Sequence, residues 1–337
     1  MKKVRVIQIG TGHDHAACTI RSLKSLPDRY EIIGVAEPNE NFKDRLNTKD
    51  YIDLPQYDAE EILKLEGIDA VCIETDELSS TYWAKRAIDL GLPVHLDKPG
   101  APDFDSFEEL VNTAKQNNVP LQMGYMYRYN PAVRRYLEEV KEGKFGKVLS
   151  VEAQMSVCHP FEKREWLSQF PGGMMFFLGC HLIDLILLFK GEPEDIISYN
   201  CCSGGDGLEG AEDYGFVVMK YKEGVSFAKS FASEVNGFDR RQLIISGEKA
   251  TVELKPFEKK IIGGPDSVIT TGIKETYRDN AKYIWLDCGK TYDEEPFDRY
   301  NVMMTEFADM ALGLAENKYS YDHELTLFKL LKKCCKF

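Results

Sequence analysis

The stretch Val4-Arg5-Val6-Ile7-Gln8-Ile9-Gly10-Thr11-Gly12 decides how the first third of the chain is read. A run rich in branched apolar side chains leads straight into two glycines, and a helix-period segment follows. A strand that ends on Gly-x-Gly and opens a helix lets backbone N–H groups approach a pyrophosphate, with the helix amino end supplying favourable partial charge. The Gly-x-Gly-x-x-Gly fingerprint is incomplete, because its third position falls on His15. Glu37 closes the next apolar run, Glu31–Ala36, where an acidic side chain accepts hydrogen bonds from adenosine ribose hydroxyls and repels a 2′-phosphate. The expected cofactor is NAD in preference to NADP, held by Gly10, Thr11, Gly12, His13, Asp14, His15 and Glu37.

Working outward, further apolar runs at Ala70–Ile73, Val94–Leu96 and Leu121–Met123 alternate with helix-period stretches, the rhythm of a parallel sheet covered by helices. After Gly124 the pattern changes. A helix over Pro131–Lys141, a long strand over Lys147–Val157 and one buried helix from Met174 to Phe189 are expected. Hairpin strands then run from Tyr214 to Leu254, with turns at Lys222-Glu223-Gly224 and Gly247-Glu248-Lys249. Ser203–Gly210 reads as a flexible loop, and helical patterns return at Asn301–Leu314 and Glu324–Lys333. The fold class is thus an α/β Rossmann domain, residues 1–123, plus an α+β domain with a large open, mainly antiparallel sheet, residues 124–337. The C-terminal helix is expected to pack back on the first domain.

Composition narrows the function classes. With 337 residues, 43% hydrophobic and 29% charged, the chain suits two ordinary globular cores. A net charge of −13 opposes binding to nucleic acid or to anionic lipid. The apolar segment from Met174 is short of the ~20 residues a bilayer requires and carries His181 and Asp184, so no membrane partner is expected. Nine cysteines, two pairs of them adjacent and none in a CxxC spacing, together with the lack of a visible secretion signal, read as reduced thiols in the cytoplasm. His13 and His15 lie in the phosphate turn and the remaining histidines are scattered, so no metal site is expected.

His95-Leu96-Asp97-Lys98-Pro99 resembles the Glu-Lys-Pro motif of the glucose–fructose oxidoreductase / inositol dehydrogenase family (Gfo/Idh/MocA), with Asp97 in place of the usual glutamate. Further similar segments follow in order: Gly124-Tyr125-Met126-Tyr127-Arg128-Tyr129-Asn130-Pro131, then Gly172-Gly173 ahead of Gly179-Cys180-His181-Leu182-Ile183-Asp184. Glu212-Asp213-Tyr214 and Gly247-Glu248-Lys249-Ala250 also match, so the resemblance spans nearly the whole chain. It implies NAD lying between a Rossmann domain and an open-faced sheet domain, a sugar or polyol substrate, and a homodimer or homotetramer built through the sheet.

Alcohol oxidation needs a hydride acceptor, a group to take the hydroxyl proton and positive charge near the developing alkoxide. Lys98 and His181 are the candidate catalytic residues. Asp184 stands three residues after His181, on the same helical face, where it could orient the imidazole or bind a hydroxyl. Arg128, Tyr125, Trp166 and His159 are candidate substrate contacts, and Thr75, Glu77 and Asp97 candidate cofactor contacts. Two departures from the family pattern matter. Phe177 stands where an aspartate is usual, and Thr75-Asp76-Glu77-Leu78-Ser79-Ser80 replaces the usual Thr-Pro-Asn-x-x-His. The leading expectation is an NAD-dependent sugar or polyol dehydrogenase. A redox-neutral glycoside-cleaving enzyme that oxidises, eliminates and re-reduces is the alternative, and a non-catalytic NAD and sugar sensor a third.

Overall fold

A computed structural model of the chain describes residues 2–263, 267–280 and 285–336. The chain divides into two compact units, one made of Met1–Met126 with Tyr300–Phe328, the other of Tyr127–Arg299 with Lys329–Phe337.

The first unit is built on five strands, β1 (Val4–Ile9), β2 (Tyr30–Ala36), β3 (Ala70–Ile73), β4 (Val94–Leu96) and β5 (Leu121–Met123), in the order β2-β1-β3-β4-β5. All neighbours are parallel. Parallel strands are covered on both faces, which is why these runs read as almost continuous apolar sequence. Helices α1 (Ala16–Ser25), α2 (Ala59–Ile62), α3 (Ser80–Asp89) and α4 (Phe104–Gln116) join them. The Asp103 side chain caps α4 by accepting from the Ser106 N–H at 2.9 Å, an interaction worth ~1 kcal/mol. The later segment contributes α9 (Asn301–Ala311) and the opening turns of α10 (Tyr321–Cys335). It is tied in by Tyr30, whose hydroxyl donates to the Met304 carbonyl, by a 2.7 Å bond between Ser22 and Asn301, and by Phe107 stacked on Phe328.

A polar row crosses this sheet. Gln8 pairs with Cys72, Cys72 with His95, and His95 with Gln122, so all four side chains share one face. The two-residue period of a strand aims Glu74 and Asp97, just past the carboxyl ends of β3 and β4, toward that same face.

The second unit carries an eight-stranded sheet. Its strands are β6 (Val148–Ser156), β7 (Asp195–Cys201), β8 (Tyr214–Lys220), β9 (Val225–Phe231), β10 (Gln242–Gly247), β11 (Ala250–Leu254), β14 (Gly272–Tyr277) and β15 (Lys290–Asp293), in the order β15-β14-β11-β10-β6-β9-β8-β7. Only β6 and β9 run parallel within it, as the expected mainly antiparallel sheet requires. A smaller sheet holds β12 (Lys259–Lys260), β13 (Val268–Thr270) and β16 (Phe297–Asp298). The hairpin of β8 and β9 turns through Gly224 at φ +80°, where a Cβ would strike the Leu149 carbonyl oxygen at 2.0 Å. Helix α5 (Pro131–Lys141) starts at Asn130, whose side chain accepts from the Ala132 N–H at 2.9 Å.

The single buried helix expected from Met174 is in fact two, α7 (Met174–Phe177) and α8 (Cys180–Lys190). The break falls at Leu178-Gly179, where the chain folds so tightly that a Cβ on Gly179 would lie 2.6 Å from the Met175 carbonyl oxygen. The segment around Arg164 and Trp166 is likewise not an irregular loop; it forms α6 (Phe161–Trp166). No helix among the described residues is long and apolar enough to cross a membrane, and no disulfide joins the cysteines.

Candidate active site

In the first unit the phosphate loop follows from steric necessity. Gly10 sits at φ +99°, where a Cβ would lie 2.2 Å from the Thr75 nitrogen, and a Cβ on Gly12 would meet the Phe42 ring and the Asp76 nitrogen below 3.0 Å. Only glycine lets β1 and the segment after β3 approach this closely. The loop is closed by Glu37, which is 3% exposed. One of its oxygens accepts from the Thr11 hydroxyl at 2.7 Å and from the Thr11 N–H, the other from the Asn39 N–H at 2.8 Å. Helix α1 has no side-chain cap at its amino end, which leaves its positive pole to an external acceptor. A pocket of about 500 Å³ opens against the loop, lined by Thr11, His13, Asp14, Arg45, Thr48 and Lys49 among others. These features fit a dinucleotide.

Arg45 was not foreseen in the sequence. Its guanidinium donates to the carbonyls of Thr11 at 2.5 Å and Gly12 at 3.0 Å, and lies 4.6 Å over the Phe42 ring. A lone arginine in a polar stretch after β2 carries no motif that could have announced it.

Behind the loop, His13, His15, Glu74, Glu77, Asp97 and Lys98 form one cluster. Asp97 accepts from His15 Nδ1 at 3.1 Å and from the Lys98 N–H at 2.7 Å, and lies 3.3 Å from His13 Nδ1. Gly124 makes room for it, since a Cβ there would touch an Asp97 oxygen at 2.8 Å. His13 Nε2 bonds the Lys98 carbonyl oxygen at 3.1 Å and stands 3.5 Å from Glu77. Burial pushes the Asp97 carboxyl up, but His13 and His15 overcome it and hold the group well below the usual range. Burial dominates at His15, which is pushed down to about 4 despite Asp97. Glu74 goes the other way, raised by burial and by the neighbouring Asp97. Lys98 is 2% exposed, directly after the end of β4, where ligands bind in open parallel sheets. Thr75 and Tyr125 are buried in the same unit, while Asp14 is exposed.

In the second unit the break at Gly179 puts His181 in the first turn of α8 rather than mid-helix. The imidazole is buried edge-on to the Tyr127 ring, with 4.8 Å between centroids. Tyr127 donates to Glu258 at 2.6 Å, and Glu258 also pairs with Arg241 and Arg299, both at 2.6 Å. Burial and then the Glu258 charge push the Tyr127 phenol up to about 12. Asp184 and Arg128 bind each other. Arg128 Nε and Nη2 reach the carboxylate at 2.8–3.0 Å, and each residue is 1% exposed. The Asp184 carboxylate therefore engages a buried guanidinium on the segment before α5.

Phe177 stands in an aromatic group with Trp166, at 5.3 Å and edge to face, and with His159 at 6.5 Å. The Lys163 ammonium lies 3.7 Å from the Trp166 centroid and 4.5 Å from that of Phe177. Lys163 is the second residue the sequence did not reveal. Arg164, one position on, faces inward to Asp213 at 3.1 Å and Asp206 at 2.9 Å, fastening α6 to the Ser203–Gly210 segment.

Comparison with known proteins gives the same picture along the chain. Residues 4–125 match the model of an oxidoreductase family with an NAD-binding Rossmann fold, and residues 133–253 the GFO/IDH/MocA C-terminal domain. An oxidoreductase of Formosa agariphila is 26% identical over 67% of this chain and 70% of its own length. A D-xylose 1-dehydrogenase (NADP+) of Haloferax volcanii is 27% identical over 41% of this chain and 42% of its own. An uncharacterised oxidoreductase of Schizosaccharomyces pombe is matched over 54% of its length, so the chain spans about half of some curated relatives. Among solved structures, UDP-N-acetylglucosamine 3-dehydrogenase from Acidithiobacillus ferrooxidans superposes with a TM-score of 0.77 over 100% of this chain and 98% of its own, at 15% identity.

Proposed function

The chain belongs to the Gfo/Idh/MocA oxidoreductase family, and from that premise we propose that it moves a hydride between NAD and a secondary alcohol of a sugar, glycoside or cyclitol. The observation that carries the proposal is the phosphate loop closed by Glu37, an acidic residue just past the end of β2, in a unit that buries Lys98 two residues past the end of β4. Bound NAD supplies the hydride acceptor. Gly10, Thr11 and Gly12 would hold its pyrophosphate at the amino end of α1, with His13, Asp14, His15, Thr75, Glu77 and Asp97 as further contacts, and Glu37, which engages Thr11 and Asn39 here, would accept from the ribose hydroxyls. Lys98 places positive charge by the substrate oxygen, and His181 takes the hydroxyl proton. Tyr125, His159 and Trp166 shape the substrate side, while Arg128 and Asp184, engaged with each other, brace α8. A sugar-like substrate accords with the names of relatives, among them the xylose dehydrogenase and a 1,5-anhydro-D-fructose reductase of Ensifer adhaerens.

Arg45, with Lys49 in the same pocket, favours a second reading in which the 2′-phosphate of NADP is accepted. One experiment tests both. The purified chain is incubated with a panel of sugars, glycosides and cyclitols and either cofactor, and reduced nicotinamide is followed by its near-ultraviolet absorbance. Turnover with NAD and not NADP is the expected result. Product formation without accumulation of reduced cofactor assigns redox-neutral chemistry, and cofactor binding with no turnover or isotope exchange on any sugar refutes the enzymatic reading.

A further inference from the structure

Beneath the phosphate loop the polar row ends in side chains whose acceptor atoms face one another. His95 Nδ1 lies 2.8 Å from Gln122 Oε1, and the Gln122 amide nitrogen donates to the Met303 carbonyl at 3.1 Å. That second bond fixes the amide orientation, so Oε1 is the acceptor and His95 Nδ1 must carry the proton. His95 Nε2 is then a bare lone pair. It is fully buried, makes no hydrogen bond, and points at Glu74 Oε1 from 3.7 Å.

Glu74 is fully buried as well, and neither of its oxygens makes a hydrogen bond of normal geometry, with Thr19 and Asp97 as its polar neighbours. The other oxygen lies 3.9 Å from His13 Nδ1. His13 stands beside them: its Nε2 faces the Lys98 carbonyl and so carries a proton, its Nδ1 lies 3.1 Å from the His15 nitrogen and 3.3 Å from Asp97, and although burial pulls the imidazole down, Asp97 and Glu77 raise it. One more buried acceptor of the same unit, Gln8 Oε1, is also unsatisfied, while the Thr19 hydroxyl is the donor that faces Glu74. A set of lone pairs and carboxylates turned on one another away from water is electrostatically unfavourable unless something positive lies among them.

We propose that Glu74, His95 and Asp97, with His13 beside them, form a binding site for a divalent transition metal of the zinc class. One ligand atom from each of Glu74, His95 and Asp97 falls within 4.8 Å of the other two. Metal–ligand bonds of about 2.0–2.2 Å in a tetrahedron set donor-to-donor edges of roughly 3.3–3.6 Å; the 3.7 Å between His95 and Glu74 is already close to this, and Asp97 closes on the pair from within 4.8 Å. Mixed imidazole and carboxylate donors suit zinc, cobalt or manganese rather than calcium or magnesium. The Gln122 bond to His95 is the outer-shell acceptor that ligating histidines ordinarily possess. Such an ion fixes Asp97, and through the Lys98 N–H the backbone at the end of β4. It also neutralises carboxylates that would otherwise repel an anionic ligand in the loop above.

The test is the metal content of the full chain, produced in zinc- and cobalt-supplemented medium and passed through a chelator-containing gel filtration. Elemental analysis should find about one equivalent of metal per chain, and the cobalt form should show the visible absorption of a low-symmetry, four- or five-coordinate ion. Glu74→Gln, isosteric but a poorer ligand, and His95→Gln should each lose both signals. Substoichiometric metal in the wild-type chain overturns the proposal whatever the variants do, and a metal-free wild type that Glu74→Gln stabilises identifies shared protons as what holds the cluster. NAD binding, measured separately on the same preparations by calorimetry, keeps this outcome distinct from that of the dehydrogenase reading.

Discussion

Asp184→Asn separates a carboxylate that holds the protein together from one that serves a substrate. The substitution keeps the shape of the side chain and removes the charge that faces Arg128 through two guanidinium nitrogens at 2.8–3.0 Å. Both residues are 1% exposed, so solvent screens little, and the guanidinium left behind is a buried cation that has lost the carboxylate it faces. Breaking one side of such a pair costs about 3–5 kcal/mol. For a body of this size each kcal/mol moves the melting temperature by roughly 2–4 °C, so the variant should melt about 6–20 °C lower. The paired replacement Arg128→Met with Asp184→Leu removes both charges and should recover all but ~1 kcal/mol, because desolvating the pair consumes most of its attraction. Thermal melts and urea titrations of the three proteins compare the broken pair with the replaced one. The reasoning is refuted if Asp184→Asn melts with the wild type while turnover collapses, since the carboxylate would then act on the substrate.

Other consequences are as definite. Lys98→Ala should lower turnover by about 10²–10³-fold with little change in melting temperature, read by initial rates on the best substrate of the panel. Glu37→Ala should weaken NAD binding relative to NADP, and an unchanged ratio of the two dissociation constants would remove Glu37 from cofactor choice. Gly179→Ala falls at the N-cap of α8, where alanine brings no helix-interior gain, and its Cβ meets the Met175 carbonyl at 2.6 Å, which no side-chain rotation relieves. The clash should cost about 1–3 kcal/mol or more, and a stabilised variant in denaturant titration would show that the break before α8 is not sterically fixed. Burial raises the Glu258 carboxyl, yet Arg299 and Arg241 overcome it and hold the group below its ordinary value. A depressed folded pKa gives stability that is present above the unfolded value near ~4.3 and is lost as pH falls through the folded one. Glu258→Gln should therefore flatten the acid limb of the stability curve, and an unchanged limb contradicts this.

What the sequence reveals follows from how local the physics is. The five parallel strands are legible because burial on both faces leaves unbroken apolar runs, and the β8–β9 hairpin because Gly224 has no substitute at its turn. The break at Gly179 escaped, since periodicity cannot distinguish one buried helix from two when nearly every side chain is apolar. Its only local trace is a glycine inside the pattern. Arg45 and Lys163 escaped for a different reason, as their roles arise from what the fold brings near them. The row from Gln8 to Gln122 was visible only as isolated polar residues in apolar strands, and register alone turns four such residues into neighbours.

The division of the first unit between residues 1–126 and 300–328 has a consequence for synthesis. At roughly 5–20 residues per second, the ribosome takes on the order of ten seconds or more to deliver the second piece after the first has emerged. Throughout that interval the nascent sheet lacks Met303, Met304 and Phe307, the residues of α9 that cover Tyr30, Gln122 and His95. An incomplete chain thus presents to chaperones a half-finished nucleotide fold with its polar seam open to water, and deletion of the last forty residues should leave it permanently in that state.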